Sequence, residues 1–262
     1  HSSHRRQRQM CIRDRILPIS LSSSQEAMLY SVLKDLNTVN LDNIIMGVEN
    51  MNSSAKWTLI DTLSHLKSMG LFSSNYTPYN ELISPGRASI LNLKGVDPDI
   101  QDTIVYKILK DLFMQRKLGK IPPFFCVIEE AHNFCPEKGF GKKKSTEIIR
   151  LISSEGRKFG LGLCVVSQRP ALVQKTVLSQ CSTQIIMKVT NPNDIKALTS
   201  SIEGITAESA NEIQNLPIGN AMLCGLVDRP LVIKVRSRKS KHGGDAVNML
   251  NTNFCLLYTS PS

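Results

Sequence analysis

No stretch of the sequence is long and apolar enough for a membrane helix, which needs about 18 consecutive apolar residues. Cysteine is sparse as well: the 262 residues contain seven, and no two of them form a C-x-x-C pair. This spacing predicts neither a disulfide framework nor a zinc site. His132 has no second histidine or cysteine at ligand spacing, so we expect it to make an ordinary hydrogen bond. Together these absences predict a reduced, cytoplasmic protein with no membrane partner.

Acidic residues are too few to balance the basic ones. The sequence has 32 Lys and Arg against 22 Asp and Glu, for a net charge of +10. Residues 1–15 carry five Arg and one Asp, so removing their charge of +4 leaves +6 for the rest. A charge of this size suits a polyanionic partner but does not identify one.

Periodic patterning is also absent from both ends of the chain. The run from Arg5 to Arg15 and the run from Cys255 to Ser262 look like translations of opposite strands of a sequencing-library adapter. We therefore exclude residues 1–15 and 255–262 from the fold prediction as non-native segments. We expect the natural part, from about Ile16 to about Phe254, to be an internal fragment of a longer protein.

The pattern of hydrophobic residues divides this natural part into two regions. Residues 24–72 have helical periodicity with short polar breaks, and a polar, turn-rich stretch follows, which predicts a helical insertion module over residues 16–87. In residues 88–244 predicted strands alternate with predicted helices, which is typical of an α/β domain with a mostly parallel sheet, and residues 245–254 form a tail. The predicted strands are Ala88 to Leu93, Phe124 to Ile128, Leu161 to Val166, Thr183 to Val189, and a closing antiparallel hairpin of Ala221 to Leu226 and Leu231 to Val235. The predicted helices begin at Pro98, Ser145, Pro192 and Thr206, and the second of them ends at Lys158.

Two carboxylates follow the most apolar predicted strand. Phe124 to Ile128 is apolar throughout, and Glu129 and Glu130 come directly after it. Open α/β sheets bind ligands at the carboxyl ends of their strands. Phosphoryl-transfer enzymes need one acid there for Mg²⁺ and another that positions the attacking water. The pattern therefore predicts the Walker B strand of a P-loop ATPase, with ATP and Mg²⁺ as cofactors; the alternative is a pair of solvated acids.

The phosphate-binding loop of such a site, G-x-x-x-x-G-K-[ST], occurs nowhere in the sequence. Gly139 to Thr146 imitates it, but Lys144 stands where the second glycine belongs, and no apolar strand leads into the segment. We interpret Lys142, Lys143 and Lys144 as a basic loop that either contacts nucleic-acid phosphates or faces water. Truncation is the explanation we adopt for the missing phosphate loop.

Polar residues also follow the next predicted strand. Gln168 comes after Leu161 to Val166, so it should arrive beside Glu130 and hold the attacking water or sense the γ-phosphate, unless it is an ordinary loop residue. The predicted helix between these strands carries Arg150 and Arg157, whose spacing of seven puts them on one helical face. These arginines act on the nucleotide of a neighbouring subunit or form a solvated basic face.

The combination of these motifs resembles one family. Ile128 to Phe134 (IEEAHNF), Glu155 to Gly160 (EGRKFG), Val166 to Pro170 (VSQRP) and Thr190 to Asp194 (TNPND) resemble the C-terminal part of HerA. HerA belongs to the FtsK–HerA superfamily of hexameric, RecA-like DNA-translocating ATPases of archaea and many bacteria. The resemblance extends from about Ser89 to Gly244 and is weak before it.

The resemblance implies a role for each matching residue. Glu130 would be the glutamate that orients water, Glu129 would bind Mg²⁺ through water, and Gln168 would be the sensor. Arg157 would be the finger that acts in trans, with Arg150 as the second candidate. The resemblance also implies a homo-hexamer around duplex DNA, a NurA-type nuclease as partner, and a part in DNA-end processing and recombination repair.

Two other functions stay open. One is a ring ATPase of the conjugation or secretion type. The other is a non-hydrolysing DNA-binding or assembly module that never had a phosphate loop. Because the phosphate loop and the N-terminal barrel domain of the family have no counterpart in the sequence, we expect this fragment alone to be inactive as an ATP hydrolase.

Overall fold

A computed structural model of the chain describes residues 21–38, 40–68, 70, 77–202, 205–226 and 229–240. The adapter-like segments and the tail at 245–254 lie outside these residues, so those predictions are not tested here. Among the described helices, none combines the length and the apolar composition that a membrane span requires.

Three helices form a small cluster at the start of the described chain: α1 (Ser23–Asp35), α2 (Leu41–Glu49) and α3 (Lys56–Ser68). Local caps begin the first two. Ser22 and Gln25 form a capping box, and the Asn40 side chain accepts from the backbone N–H of Asn43 at 2.7 Å. Leu33, Val48, Leu59 and Leu63 are buried between the helices. The helical periodicity of this region is confirmed, while its boundary as a domain stays a prediction.

The connection from this cluster to the α/β part contains one short helix, α4 (Tyr79–Leu82), and then an irregular segment. The predicted strand from Ala88 to Leu93 is wrong, because these residues form no ladder with the described strands. Ile90 is 90% exposed there. A strand is stable only when a neighbour pairs with its backbone groups, and its apolar sequence alone does not supply that neighbour.

The longest helix, α5 (Pro98–Lys117), begins where the sequence predicts. The Asp97 carboxylate accepts from the backbone N–H of Asp99 at 2.9 Å, and Pro98 occupies the first turn, where its missing N–H costs nothing. Leu109 and Phe113 are buried against the sheet layer, and the Phe113 ring meets Phe159 edge to face, with the ring centroids 5.6 Å apart. This helix therefore covers one face of the central strands.

The central strands are β1 (Phe124–Ile128) and β2 (Leu161–Val165), which pair in parallel with Phe124 opposite Leu161. Helix α6 (Ser145–Glu155) connects them and packs beside α5, so one face of the pair is buried. The other face is open: Phe125 is 67% exposed and Val127 is 57% exposed. Parallel sheets are normally covered on both faces.

The remaining strands, β3 (Gln184–Ile186), β4 (Asn220–Cys224) and β5 (Leu231–Lys234), pair antiparallel in the order β3-β4-β5. The predicted hairpin of the last two is confirmed. Helix α7 (Lys175–Gln180) precedes β3 in the chain. Helices α8 (Pro192–Ser201) and α9 (Ala207–Asn215) lie between β3 and β4. The α/β class with a parallel sheet is confirmed, although among the described strands only β1 and β2 pair in parallel, because β3 joins the closing hairpin instead.

Candidate functional site

The carboxyl end of β1 presents the two predicted acids differently. Glu129 is exposed, whereas Glu130 is half-buried and has a backbone φ of 47°, the one positive value among the described residues other than glycine. Such a left-handed conformation costs on the order of 1–3 kcal/mol and persists only where the surroundings impose it. Here the N–H of Ala131 donates to the carbonyl of Val166 at 2.9 Å, which holds the chain after Glu130 against the next strand. A bend thus separates the two carboxylates.

The carboxyl end of β2 lies beside this bend. The N–H of Val166 donates to the carbonyl of Ile128 at 2.9 Å, so the pairing of the two strands continues one step past β2. Gln168 follows two residues later and is exposed. The structure therefore brings Glu129, Glu130 and Gln168 to one edge of the parallel pair, as the sequence predicts; their chemical roles stay predictions.

A side-chain contact that the sequence does not predict joins the two strand ends. Nδ1 of His132 lies 3.0 Å from Oγ of Ser167 and 3.3 Å from Oε2 of Glu130. The expected hydrogen bond of His132 therefore exists, and its partner belongs to the loop that carries Gln168. No local pattern indicates this contact, because the two residues are 35 positions apart in the chain.

The loop after Gln168 is fixed from a third element. Asp194 in α8 is 3% exposed, and its carboxylate accepts from the backbone N–H of Ala171 at 2.9 Å. Asn191 caps the same helix by accepting from the N–H of Asn193 at 2.9 Å. The segment Thr190 to Asp194 was noted in the sequence only because it resembles a family motif. In the structure it anchors the turn that follows Gln168.

The two arginine candidates lie in different elements. Helix α6 ends at Glu155 rather than at the predicted Lys158, and Arg157 lies in a 3-10 turn formed by Gly156–Phe159. The helix tightens there because Gly156 packs on the next strand: an added Cβ would stand 2.6 Å from the carbonyl oxygen of Leu161. The predicted continuous helix from Ser145 to Lys158 is therefore wrong, although both arginine side chains are exposed.

The turn that carries Arg157 lies at the amino end of the strands. Gly160 closes this turn, and its carbonyl accepts from the N–H of Phe124, the first residue of β1, at 3.2 Å. A five-residue strand is about 16 Å long, so roughly this distance separates Arg157 from the acids at the other end. Within one subunit Arg157 and Glu130 do not form one site.

Part of the basic loop before α6 makes contacts within the chain. The ammonium group of Lys143 donates to the Asp99 carboxylate at 2.8 Å, and this hydrogen bond lowers the pKa of Asp99. Burial lowers the pKa of Lys144, against the opposing effect of Asp102. Lys142 is exposed. Lys144 is exposed as well, so Lys142 and Lys144 are more accessible to a nucleic acid than the half-buried Lys143.

Asp102, which is remote in sequence, caps the start of helix α6. The residue at the N-cap position, Lys144, makes no capping hydrogen bond with its own side chain. The buried Asp102 carboxylate accepts from the backbone N–H groups of Lys144 at 2.8 Å and Ser145 at 3.0 Å, and also from the Ser145 hydroxyl. These contacts satisfy donors that a helix start otherwise leaves without partners. Asp102 thereby fixes where the helix leaves the site edge.

We expect Asp102→Ala to lower the free energy of unfolding by about 2–4 kcal/mol, because two buried backbone donors lose their acceptor. Urea unfolding of the chain followed by circular dichroism measures this loss. Asp99→Ala is the matched control, since it removes an exposed carboxylate from the same helix and should shift the midpoint much less. Equal losses for both variants would show that Asp102 is not a cap.

The residues at the site edge fit a hydrated Mg²⁺ held with the help of a substrate phosphate. Among the described residues, no group of three or more His, Cys, Asp or Glu side chains forms a protein-only metal site. Mg²⁺ usually keeps several waters and binds through one or two carboxylates plus substrate phosphates. The single exposed carboxylate of Glu129, at the carboxyl end of a parallel strand, matches this pattern.

Several curated proteins are similar in sequence. The probable helicase MJ1565 of Methanocaldococcus jannaschii is 31% identical over 210 residues, which cover 77% of this chain and 40% of that protein. The DNA double-strand break repair helicase HerA of Saccharolobus solfataricus is 29% identical over 247 residues, which cover 89% of this chain and 47% of that protein. The chain thus spans less than half the length of these relatives. No protein-family model matches the chain.

A solved structure with a similar fold is that of VirB4 from Thermoanaerobacter pseudethanolicus. It covers 91% of this chain and 70% of its own, with a TM-score of 0.62 and 12% identity. At this identity the likeness concerns the fold alone. The likeness confirms the predicted RecA-like α/β fold class.

Proposed function

The chain is homologous to the HerA-type helicases of the FtsK–HerA family, and we propose that it forms the hydrolysis half of the ATP site in an ATP-driven DNA translocase or helicase. The observation that carries the proposal is the convergence of Glu129, Glu130 and Gln168 at one carboxyl edge of a parallel strand pair. This is the edge at which α/β sheets bind their ligands.

Each of these residues has a chemical task in the proposal. The Glu130 carboxylate accepts a hydrogen bond from the attacking water and orients it toward the γ-phosphate. Gln168, a neutral amide on the neighbouring strand end, holds the same water or contacts the γ-phosphate. Glu129 would hold Mg²⁺ through a water molecule, and the ion would supply positive charge to the phosphates. The exposure of Glu129 and Gln168 leaves both side chains free to meet a nucleotide.

The phosphate-binding half of the site is proposed to come from the part of the relatives' length that this chain does not span. The motif G-x-x-x-x-G-K-[ST] is absent from the 262 residues, so this chain by itself has no means to cradle the phosphates. The open face of the strand pair, with Phe125 and Val127 exposed, supports the need for further protein on that side. We therefore expect the isolated chain to be inactive.

The position of Arg157 supports action between subunits. It lies about one strand length from Glu130 of its own chain, so it reaches a nucleotide only if a neighbour places that nucleotide beside it. A ring of identical subunits provides such a head-to-tail contact. We propose a homo-hexamer in which Arg157, with Arg150 as the second candidate, stabilises charge on the γ-phosphate of the adjacent subunit.

Duplex DNA is the proposed substrate of the ring, with Lys142 and Lys144 as the exposed contacts in the basic loop. The names of the HerA relatives place those proteins in double-strand break repair. By this relationship we propose a part in the processing of DNA ends, with a NurA-type nuclease as partner. The helicase relatives at about 30% identity favour this function over a conjugation or secretion motor.

The test is to recover the complete coding sequence, purify its product and measure ATP hydrolysis with and without duplex DNA. We expect an apolar strand that runs into G-x-x-x-x-G-K-[ST] upstream of these residues, and hydrolysis that duplex DNA stimulates. A complete reading frame without that loop, whose product binds DNA but hydrolyses no ATP, would instead support a non-hydrolysing binding or assembly module.

A further inference from the structure

One oxygen of the Glu130 carboxylate is buried, although the side chain as a whole is partly exposed. The side chain as a whole is 42% exposed, yet its Oε2 atom is buried. Among the described residues Oε2 has no hydrogen-bond partner of good geometry, and the Nδ1 of His132 lies 3.3 Å from it. A buried carboxylate oxygen without a donor is costly. The histidine ring is therefore placed where a donor is needed.

Nδ1 of His132 also contacts the residues that follow β2. Nδ1 of His132 is 3.0 Å from Oγ of Ser167, and the backbone N–H of Arg169 donates to that hydroxyl oxygen at 3.0 Å. The Ser167 side chain thus closes a tight turn around Gln168. In the Nδ1–H tautomer this nitrogen shares its one proton between Oγ of Ser167, the nearer acceptor, and Oε2 of Glu130.

We propose that His132 is a positioning residue that holds Oε2 of Glu130 and links it, through Ser167, to the turn that carries Gln168. The inference rests on the proposed function, in which Glu130 orients the attacking water. With Oε2 held by the His132–Ser167 link, Oε1 remains to accept from that water. The link also joins the water-orienting acid to the sensor turn, so the two groups keep a fixed relation when nucleotide binds.

The surrounding structure makes this link rigid. His132 lies in a single 3-10 turn, Ala131–Asn133, and its side chain is 19% exposed. Ala131 beneath it is fully buried, and its N–H is bonded to Val166, the residue before Ser167. A group that is fixed in this way orients its partner, and removing such a group typically costs about 10–100-fold in activity.

The experiment uses the full-length protein and measures kcat and KM for ATP in the presence of duplex DNA. We expect His132→Ala to lower kcat about 10–100-fold with KM for ATP changed less than about twofold, because the phosphates bind elsewhere. His132→Asn should recover most of kcat, since its amide presents a donor near the position of Nδ1. Ser167→Ala should lower kcat less than His132→Ala, and Ser167→Thr, which keeps the hydroxyl, should preserve it.

Glu130→Gln in the same assay separates failure of the inference from failure of the proposed function. If Glu130→Gln is inactive while His132→Ala keeps its kcat, or changes KM alone, the positioning role is wrong and the proposed function stands. If Glu130→Gln keeps full activity, the proposed function fails and the inference fails with it. Should His132→Ala not fold, as judged by its melting temperature, the pair Ser167→Ala and Ser167→Thr decides: equal kcat values would overturn the link.

Discussion

Glu130→Gln in the full-length protein is expected to lower kcat for ATP hydrolysis at least about 100-fold while leaving nucleotide affinity within a few-fold of the original. Removing a group that positions or deprotonates the attacking water typically costs about 10²–10⁴ in rate. The amide keeps the size of the side chain but carries no negative charge, so it no longer attracts the proton of the water. We expect the bound phosphates to lose no ligand, because the proposed function assigns their contacts to a phosphate loop and not to Glu130.

The measurement is steady-state hydrolysis together with binding of a slowly hydrolysed ATP analogue. Glu49→Gln makes a matched control, since it applies the same chemical change to an exposed residue at the end of α2, in the three-helix cluster. It should leave both quantities unchanged. Normal turnover in Glu130→Gln would contradict the proposed function, in which Glu130 orients the water, and the inference about His132 would fail with it.

Local sequence was sufficient where one element contains its own signals. The strand Phe124–Ile128 has the predicted bounds because five apolar residues stand between a proline and two acids. Helix α5 begins at Pro98 because Asp97 caps it within the same turn. In both places the physical cause lies within a few residues of its effect.

Sequence was insufficient where the cause lies far along the chain. The end of α6 at Glu155 depends on the approach of Gly156 to Leu161, and the failed strand at Ala88 to Leu93 depends on a neighbour that sequence does not supply. Asp102 and Asp194 bond to backbone groups 42 and 23 positions away, so no spacing pattern marks either as a cap. One signal was available: Lys144 is a poor residue at a helix start, which suggests an acceptor from elsewhere.

Sequence likewise predicted some residues of the candidate site and not others. Glu129, Glu130 and Gln168 were predicted because parallel strands deliver the residues after them to a common edge. The His132–Ser167 link was not predicted, because a histidine in a turn has many possible partners. The placement of Arg157 was only half predicted: its exposure is as expected, but its position at the amino end of the strands required the folded chain.

Arg157→Ala should lower kcat about 10³–10⁵-fold, the range known for arginine fingers, if Arg157 acts on the nucleotide of the adjacent subunit. Arg157→Lys should not restore the rate, because an ammonium group lacks the planar fork of guanidinium. Arg150→Ala is the control within the chain: its side chain is also exposed, but it lies in the middle of α6. A larger loss for Arg150→Ala than for Arg157→Ala would reverse the order of the two candidates.

Mixing two inactive variants tests whether the arginine acts between subunits. In a ring assembled from Arg157→Ala and Glu130→Gln subunits in equal amounts, about a quarter of the interfaces join an intact Glu130 to an intact Arg157. Those interfaces should hydrolyse ATP, so activity should appear on mixing although each variant alone has almost none. Action within one subunit predicts no recovery, because no subunit of the mixture holds both residues. Since about one strand length separates Arg157 from Glu130 in the same chain, we expect recovery.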